Sequence, residues 1–170
     1  MNDPNRLTLL SLSGVVARPP ALRLAARRLS ALGYSVQIDA QAFARHQRFA
    51  GDDDTRLAAL HRVAADGPGI AMLARGGYGL TRLLDRVDWA LLARSVEQGT
   101  RWVGHSDFTA LQMGLLAHAK APSWAGPMAA DDFGREEGGD EVTIDGFREA
   151  MTGELEAIGF RTETGFDGLA

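Results

Sequence analysis

The chain has 170 residues, 45% of them hydrophobic and 24% charged, which is the balance of a globular domain with apolar mass for one core. Its formal net charge of -4, with the acidic residues spread along the chain, leaves no basic face for a phosphate backbone, so nucleic acid is not an expected partner. The absence of cysteine excludes disulfides, thiolate chemistry and cysteine-held zinc.

In chain order, the apolar run over 7–12 predicts a strand that ends at Ser13-Gly14. The residues before it show neither the basic start nor the apolar core of a signal peptide, and no apolar stretch reaches the roughly 20 residues that cross a membrane. A cytoplasmic protein without a membrane partner is therefore expected. Pro19-Pro20 opens a helix whose Leu22, Leu24, Ala25, Leu29 and Leu32 recur at helical spacing, closed by Gly33. Residues 34–38 alternate as a strand, and after a polar loop Asp52-Asp53-Asp54 suit the start of a helix carrying Leu57, Leu60 and Val63.

Residues 70–74 read as a short buried strand broken at Arg75-Gly76-Gly77-Tyr78-Gly79, after which Leu80, Leu83 and Leu84 restart a helical face. A short helix over 89–96, a strand over 101–103 and an amphipathic helix over 107–118 follow. Residues 131–140, acidic and glycine-rich, predict an exposed loop before a helix over 144–151, and 154–158 alternate like an edge strand. Strands alternating with helices at this spacing predict an α/β fold: a parallel sheet with helices on both faces, flavodoxin-like or Rossmann-like, with sites at the strand C-termini.

Two segments carry candidate chemistry. Gly104-His105-Ser106-Asp107 lies at a strand-to-helix turn, where a serine hydroxyl projects beyond the sheet edge and helix N-terminal N–H groups face a developing oxyanion. The competing reading is that Ser106 simply caps its helix. Arg75-Gly76-Gly77-Tyr78-Gly79 ends the preceding strand, so its glycines read as a cradle for an oxyanion or carboxylate, as a phosphate loop lacking the P-loop lysine, or as a tight turn alone.

A serine hydrolase also needs a base. His105 precedes Ser106 and points to the opposite side of an extended segment, while His61 and His118 fall on surface helices, which leaves His46 in its polar loop. No two histidines share ligand spacing on a helix face, and no metal site is expected. Trp124 and Met128, around Gly126-Pro127, fit a pocket at the next strand end or the core.

Taken in order, Phe49-Ala50-Gly51-Asp52-Asp53-Asp54-Thr55-Arg56, Ala74-Arg75-Gly76-Gly77-Tyr78-Gly79, Gly104-His105-Ser106-Asp107-Phe108-Thr109-Ala110-Leu111 and Gly126-Pro127-Met128 resemble the LD-carboxypeptidase family, also called muramoyltetrapeptide carboxypeptidases. The resemblance runs from about residue 7 to about residue 160. It implies a domain of the type also found in class I glutamine amidotransferases, and a serine peptidase without a cofactor that removes the terminal D-alanine of an L,D-linked murein tetrapeptide during peptidoglycan recycling.

On the same resemblance Ser106 is the nucleophile, the backbone N–H of Asp107 and one from Gly76-Gly77 form the oxyanion hole, and Arg75, Trp124, Gly126 and Met128 contact substrate. The family's Ser-Glu-His triad takes its Glu and His from a C-terminal domain. Residues 1–152 are thus expected to form the nucleophile domain and 153–170 the start of a linker toward that second domain, in a family expected to be homodimeric. His105 stands where the family commonly has an aromatic residue and Ala125 where it commonly has a histidine, differences that bear on substrate. A related branch gives immunity to a peptide-nucleotide antibiotic, and a non-catalytic domain that binds a small anion is the reading from another class.

Overall fold

The computed structural model describes residues 3–155. Five parallel strands form one sheet in the order β2-β1-β3-β4-β5. They are β1 (Arg6–Leu10), β2 (Ser35–Ile38), β3 (Ile70–Leu73), β4 (Arg101–Gly104) and β5 (Trp124–Ala125). This is the flavodoxin-like order, with its reversal between β1 and β3. In register, Leu9 faces Met72 across β1 and β3, Met72 faces Val103, and Gly104 faces Ala125 at the far end. All four residues of β3 are buried, as expected of a central strand covered on both sides.

Two apolar clusters divide the core by sheet face. One joins Leu10, Ala71, Leu73 and Trp102 to α2 (Asp53–Asp66), α3 (Trp89–Glu97) and α4 (Thr109–Gly114). The other joins Leu7, Leu9, Ile70, Met72 and Val103 to α1 (Pro19–Ala31) and α5 (Glu141–Thr152). Helices therefore cover both faces, as alternating strands and helices require.

The helix starts obey local chemistry. Pro19 and Pro20 occupy the first turn of α1, where a missing N–H costs nothing. Asp52, Asp88 and Asp140 cap α2, α3 and α5 by accepting the N–H groups of Thr55, Leu91 and Thr143 at 2.8–2.9 Å. The Asp140 cap starts α5 three residues before the apolar pattern that predicted it over 144–151.

Other expectations are corrected. The face restarted by Leu80, Leu83 and Leu84 is two 3-10 turns, Leu80–Arg82 and Leu84–Arg86, rather than an α-helix. The amphipathic helix expected over 107–118 is a 3-10 turn, Ser106–Phe108, then α4, then a π-turn, Leu115–Ala119. The start of the loop expected to be exposed over 131–140 is ordered: residues 131–133 complete a π-helical turn, Ala129–Phe133, that buries Ala129, Ala130 and Phe133 against α1, while 135–140 are irregular and at least partly exposed. Arg28 of α1 fastens it through the Phe133 carbonyl at 2.9 Å. Residues 154–155 belong to no strand, and the remainder of the predicted edge strand and of the linker falls outside the described residues.

Candidate active site

The loops after β1, β3 and β4 meet at the C-terminal edge of the sheet, and Ser106 stands among them. Its φ is +60°, a left-handed conformation that costs a non-glycine residue about 1–2 kcal/mol. Here the strand reverses into helix within one residue. Gly104 makes the reversal possible, since a Cβ there would lie 3.1 Å from the Phe108 ring and 3.2 Å from the Leu73 Cβ. The capping reading does not hold: neither the 3-10 turn at Ser106 nor α4 has a side-chain cap. Ser106 is exposed at the tip.

Across from it lies the glycine loop. A Cβ on Gly76 would sit 2.9 Å from Ser106 Oγ and 3.2 Å from Met128 Cε, so only a residue without a side chain allows this approach. The Gly76 carbonyl accepts from the Gly14 N–H at 3.1 Å and from Arg75 Nε at 3.2 Å. Because the peptide is trans, the Gly77 N–H points the other way, away from Gly14. Gly77 itself has φ +127°, and a Cβ on it would meet the Gly14 backbone at 3.0 Å. Among the described residues neither the Gly77 N–H nor the Asp107 N–H has a protein acceptor.

Asp107 joins the two loops. Its Oδ2 accepts the Leu80 N–H at 3.0 Å, so the residue after Ser106 caps the 3-10 turn that follows the glycine loop. Sequence reasoning singled out the Asp107 backbone and missed this side-chain role, which spans 27 positions. In the sequence Gly14 reads as the end of a strand and as part of a Ser11-Leu12-Ser13-Gly14 loop that fits the family less closely. A Ser-Gly pair closing a parallel strand was the available signal for its place beside Gly76.

The other predicted residues disperse. Arg75 reaches the Val15 carbonyl at 3.3 Å in addition to Gly76, so its guanidinium holds the loops after β1 and β3 together. Met128 is buried with its methyl toward Gly76, whereas Trp124 is 38% exposed and lines a cleft of about 400 Å³ with His105, Gly126, Pro127, Asp132 and Phe147. His105 Nε2 lies 3.8 Å from Asp132 Oδ2 in that cleft.

No histidine is set up to serve Ser106. His46 lines a separate polar cleft with Gln47, Asp52, Asp53, Arg82 and Arg86. His61 Nε2 accepts the Asp88 N–H at 3.0 Å, and His118 stacks on Trp89. Among the described residues no group of His, Asp and Glu is arranged to hold a metal ion, and no helix is long and apolar enough to cross a membrane.

Behind the glycine loop lies a buried polar knot. Arg56 is fully buried, donates to the Leu12 carbonyl at 2.9 Å and pairs with Asp53, while its guanidinium stacks over Phe49 at 4.9 Å. Asp53 is held from the other side by Arg82 at 2.7 Å. Arg82, then Arg56, depress the Asp53 carboxyl below its usual range. Gly79, at φ +134°, leaves room for Arg56, whose Nη1 would lie 2.5 Å from a Cβ there.

A doubly covered parallel sheet with an exposed serine on a strained elbow, facing a glycine loop, defines an α/β domain built to present a side chain at its strand ends. The family described as "LD-carboxypeptidase N-terminal domain" matches residues 7–126. The chain belongs to that family. A Bacillus subtilis (strain 168) protein named "Probable murein peptide carboxypeptidase" is 32% identical over 117 residues, covering 68% of this chain and 36% of that protein.

The muramoyltetrapeptide carboxypeptidase of Oxalobacter formigenes superposes with a TM-score of 0.77 at 37% identity, over 86% of this chain and 48% of that one. A microcin C7 self-immunity protein solved with aspartyl sulfamoyl adenosine shares the fold, with a TM-score of 0.80 at 17% identity over 97% of this chain and 47% of that one. The chain thus spans less than half the length of these relatives.

Proposed function

We propose that this chain is the nucleophile-bearing half of a serine-type LD-carboxypeptidase that releases the terminal D-alanine of L,D-linked murein tetrapeptides in cytoplasmic peptidoglycan recycling. The observation that carries the reading is the strained placement of Ser106, with its hydroxyl against the Gly76-Gly77 loop. Ser106 Oγ attacks the carbonyl of the last peptide bond, and the carbonyl oxygen takes up the negative charge. The Asp107 and Gly77 N–H groups, both without a protein acceptor, supply the oxyanion hole. Collapse of the tetrahedral adduct expels D-alanine as its amine is protonated, and water then hydrolyses the acyl-serine.

The hydroxyl proton needs a base. Each histidine among the described residues is directed elsewhere, which supports a Glu and His supplied by a second domain beyond this chain. Residues 1–170 alone are therefore expected to show no steady turnover. The test is D-alanine release from an L,D-tetrapeptide by the chain extended through that domain, comparing Ser106 with Ser106→Ala. Release that depends on Ser106 supports the reading; equal release by both removes Ser106 from catalysis. No release by either favours the second reading, peptide-nucleotide immunity, which the shared fold of the microcin C7 protein accommodates.

A further inference from the structure

The arginines that follow the ends of β2 and β3 are nearly all committed. Arg45 Nε bonds the Gln47 carbonyl, Arg56 is buried with Asp53, Arg75 holds the Val15 and Gly76 carbonyls, Arg82 pairs with Asp53 and Arg86 with Asp54. Arg48 differs. Its guanidinium has no hydrogen-bond or ion-pair partner among the described residues, and it is exposed. It nonetheless has a defined place, over the Phe49 ring at 5.2 Å and the Tyr78 ring at 5.4 Å.

That place belongs to the serine's surroundings. Tyr78, 51% exposed, directly follows the Gly76-Gly77 pair that faces Ser106. The Arg48 carbonyl accepts the Val15 N–H at 2.9 Å, and the adjoining Gly14 N–H donates to Gly76 at 3.1 Å. Arg48 is thus tied to the glycine loop twice, by its backbone through residues 14 and 15 and by its guanidinium through Tyr78. The nearby carboxylates have other partners: Asp52 accepts from Thr55, Asp53 from Arg56 and Arg82, and Asp54 from Arg86. A free arginine normally loses much rotamer freedom on binding, but two rings already restrict this one, and its five N–H donors remain unspent.

We propose that Arg48 is a specificity residue that reads a free carboxylate of the peptide bound at Ser106, with the Phe49 and Tyr78 rings as its platform. The inference rests on the functional reading above. An L,D-tetrapeptide is a poly-acid, and a planar cation beside the oxyanion loop selects it over neutral peptides. Contact of this kind adds binding energy in ground and transition states alike, so Arg48 is assigned no part in bond breaking.

The test is binding of an L,D-tetrapeptide, and of the same peptide with its carboxylates amidated, to residues 1–170, followed by NMR titration. The proteins are the native chain, Arg48→Gln and Arg48→Lys, each checked for an unchanged fold by circular dichroism. The native chain is expected to prefer the acid peptide by about tenfold, the scale of one charge-assisted hydrogen bond. Arg48→Gln should bring the acid peptide to the level of the amidated one and leave the latter unchanged, and Arg48→Lys should recover only part of the preference. Equal losses on both peptides, or acid binding indifferent to residue 48, overturn the role of Arg48 alone. A native chain that binds neither peptide overturns the role of Arg48 as well, while D-alanine release by the chain extended through its second domain tests the substrate reading separately.

Discussion

Two neighbouring clusters at the C-terminal edge of the sheet solve opposite problems. Around Arg56 most polar groups find partners: one buried guanidinium shares a carboxylate with Arg82, reaches a carbonyl and stacks on Phe49, and only its Nε lacks a hydrogen-bond partner among the described residues. Around Ser106 the groups are left open. Its backbone is held at φ +60° and two N–H groups lack protein acceptors. The first arrangement ties the loops together; the second holds a strained backbone and open donors, which on the reading proposed above face a ligand. The two connect through the residues between Gly76 and Leu80, where Gly79 accommodates Arg56 and Asp107 caps Leu80. The knot is therefore the support on which the open site rests.

The contrast can be broken from either side. The largest effect is expected for Ser106→Ala in the proposed two-domain enzyme, with a fall in kcat of roughly 10⁴-fold or more, as for removal of a serine nucleophile elsewhere, and little change in melting temperature. Next, Asp53→Asn should cost about 3 kcal/mol in urea unfolding, because it leaves the buried Arg56 without its anionic partner. Gly76→Ala should retain the fold yet lower kcat/KM by about a hundredfold, since its methyl would stand against Ser106 Oγ at the attack position.

A smaller effect concerns acid. The folded Asp53 carboxyl is depressed by Arg82 and Arg56, so the stability it contributes is fully present above the unfolded carboxylate pKa, about 3.9, and is lost as pH falls through the lower folded value. Unfolding curves between pH 6 and the acid limb should therefore be flatter for Asp53→Asn than for the native chain. The smallest change expected is a gain: Ser106→Gly should raise unfolding free energy by about 0.5–1 kcal/mol by releasing the left-handed strain, while abolishing any serine-dependent activity. If Ser106→Gly were destabilising, the contrast between an open, strained site and a largely paired knot would fail.

Much of this was legible in the sequence by itself. The alternation of apolar runs and helical periods determined a parallel α/β sheet, because neighbouring parallel strands need crossovers and the periods of 2 and 3.6 are local properties. The caps at Asp52, Asp88 and Asp140 are also local, yet only the one at Asp52 is read from the sequence, because an apolar pattern marks the buried face rather than the first turn. Residues 131–133 read as loop because Asp131 and Asp132 mask Phe133, which is buried only because α1 lies over the turn.

For the site, the four motifs of the family and the turn at Ser106 could be read directly, since each is a run of adjacent residues. What only the tertiary structure decided was which groups in those motifs are spent and which are free. Arg75 and Arg48 are indistinguishable as letters, but one is held by the carbonyls of Val15 and Gly76 while the other rests on two rings. Likewise Asp107 meets Leu80, and Gly14 meets Gly76, across separations that only the stacking of β1, β3 and β4 closes. Hydrogen bonds act over about 3 Å of space and carry no record along the chain, so their partners are settled when the sheet forms.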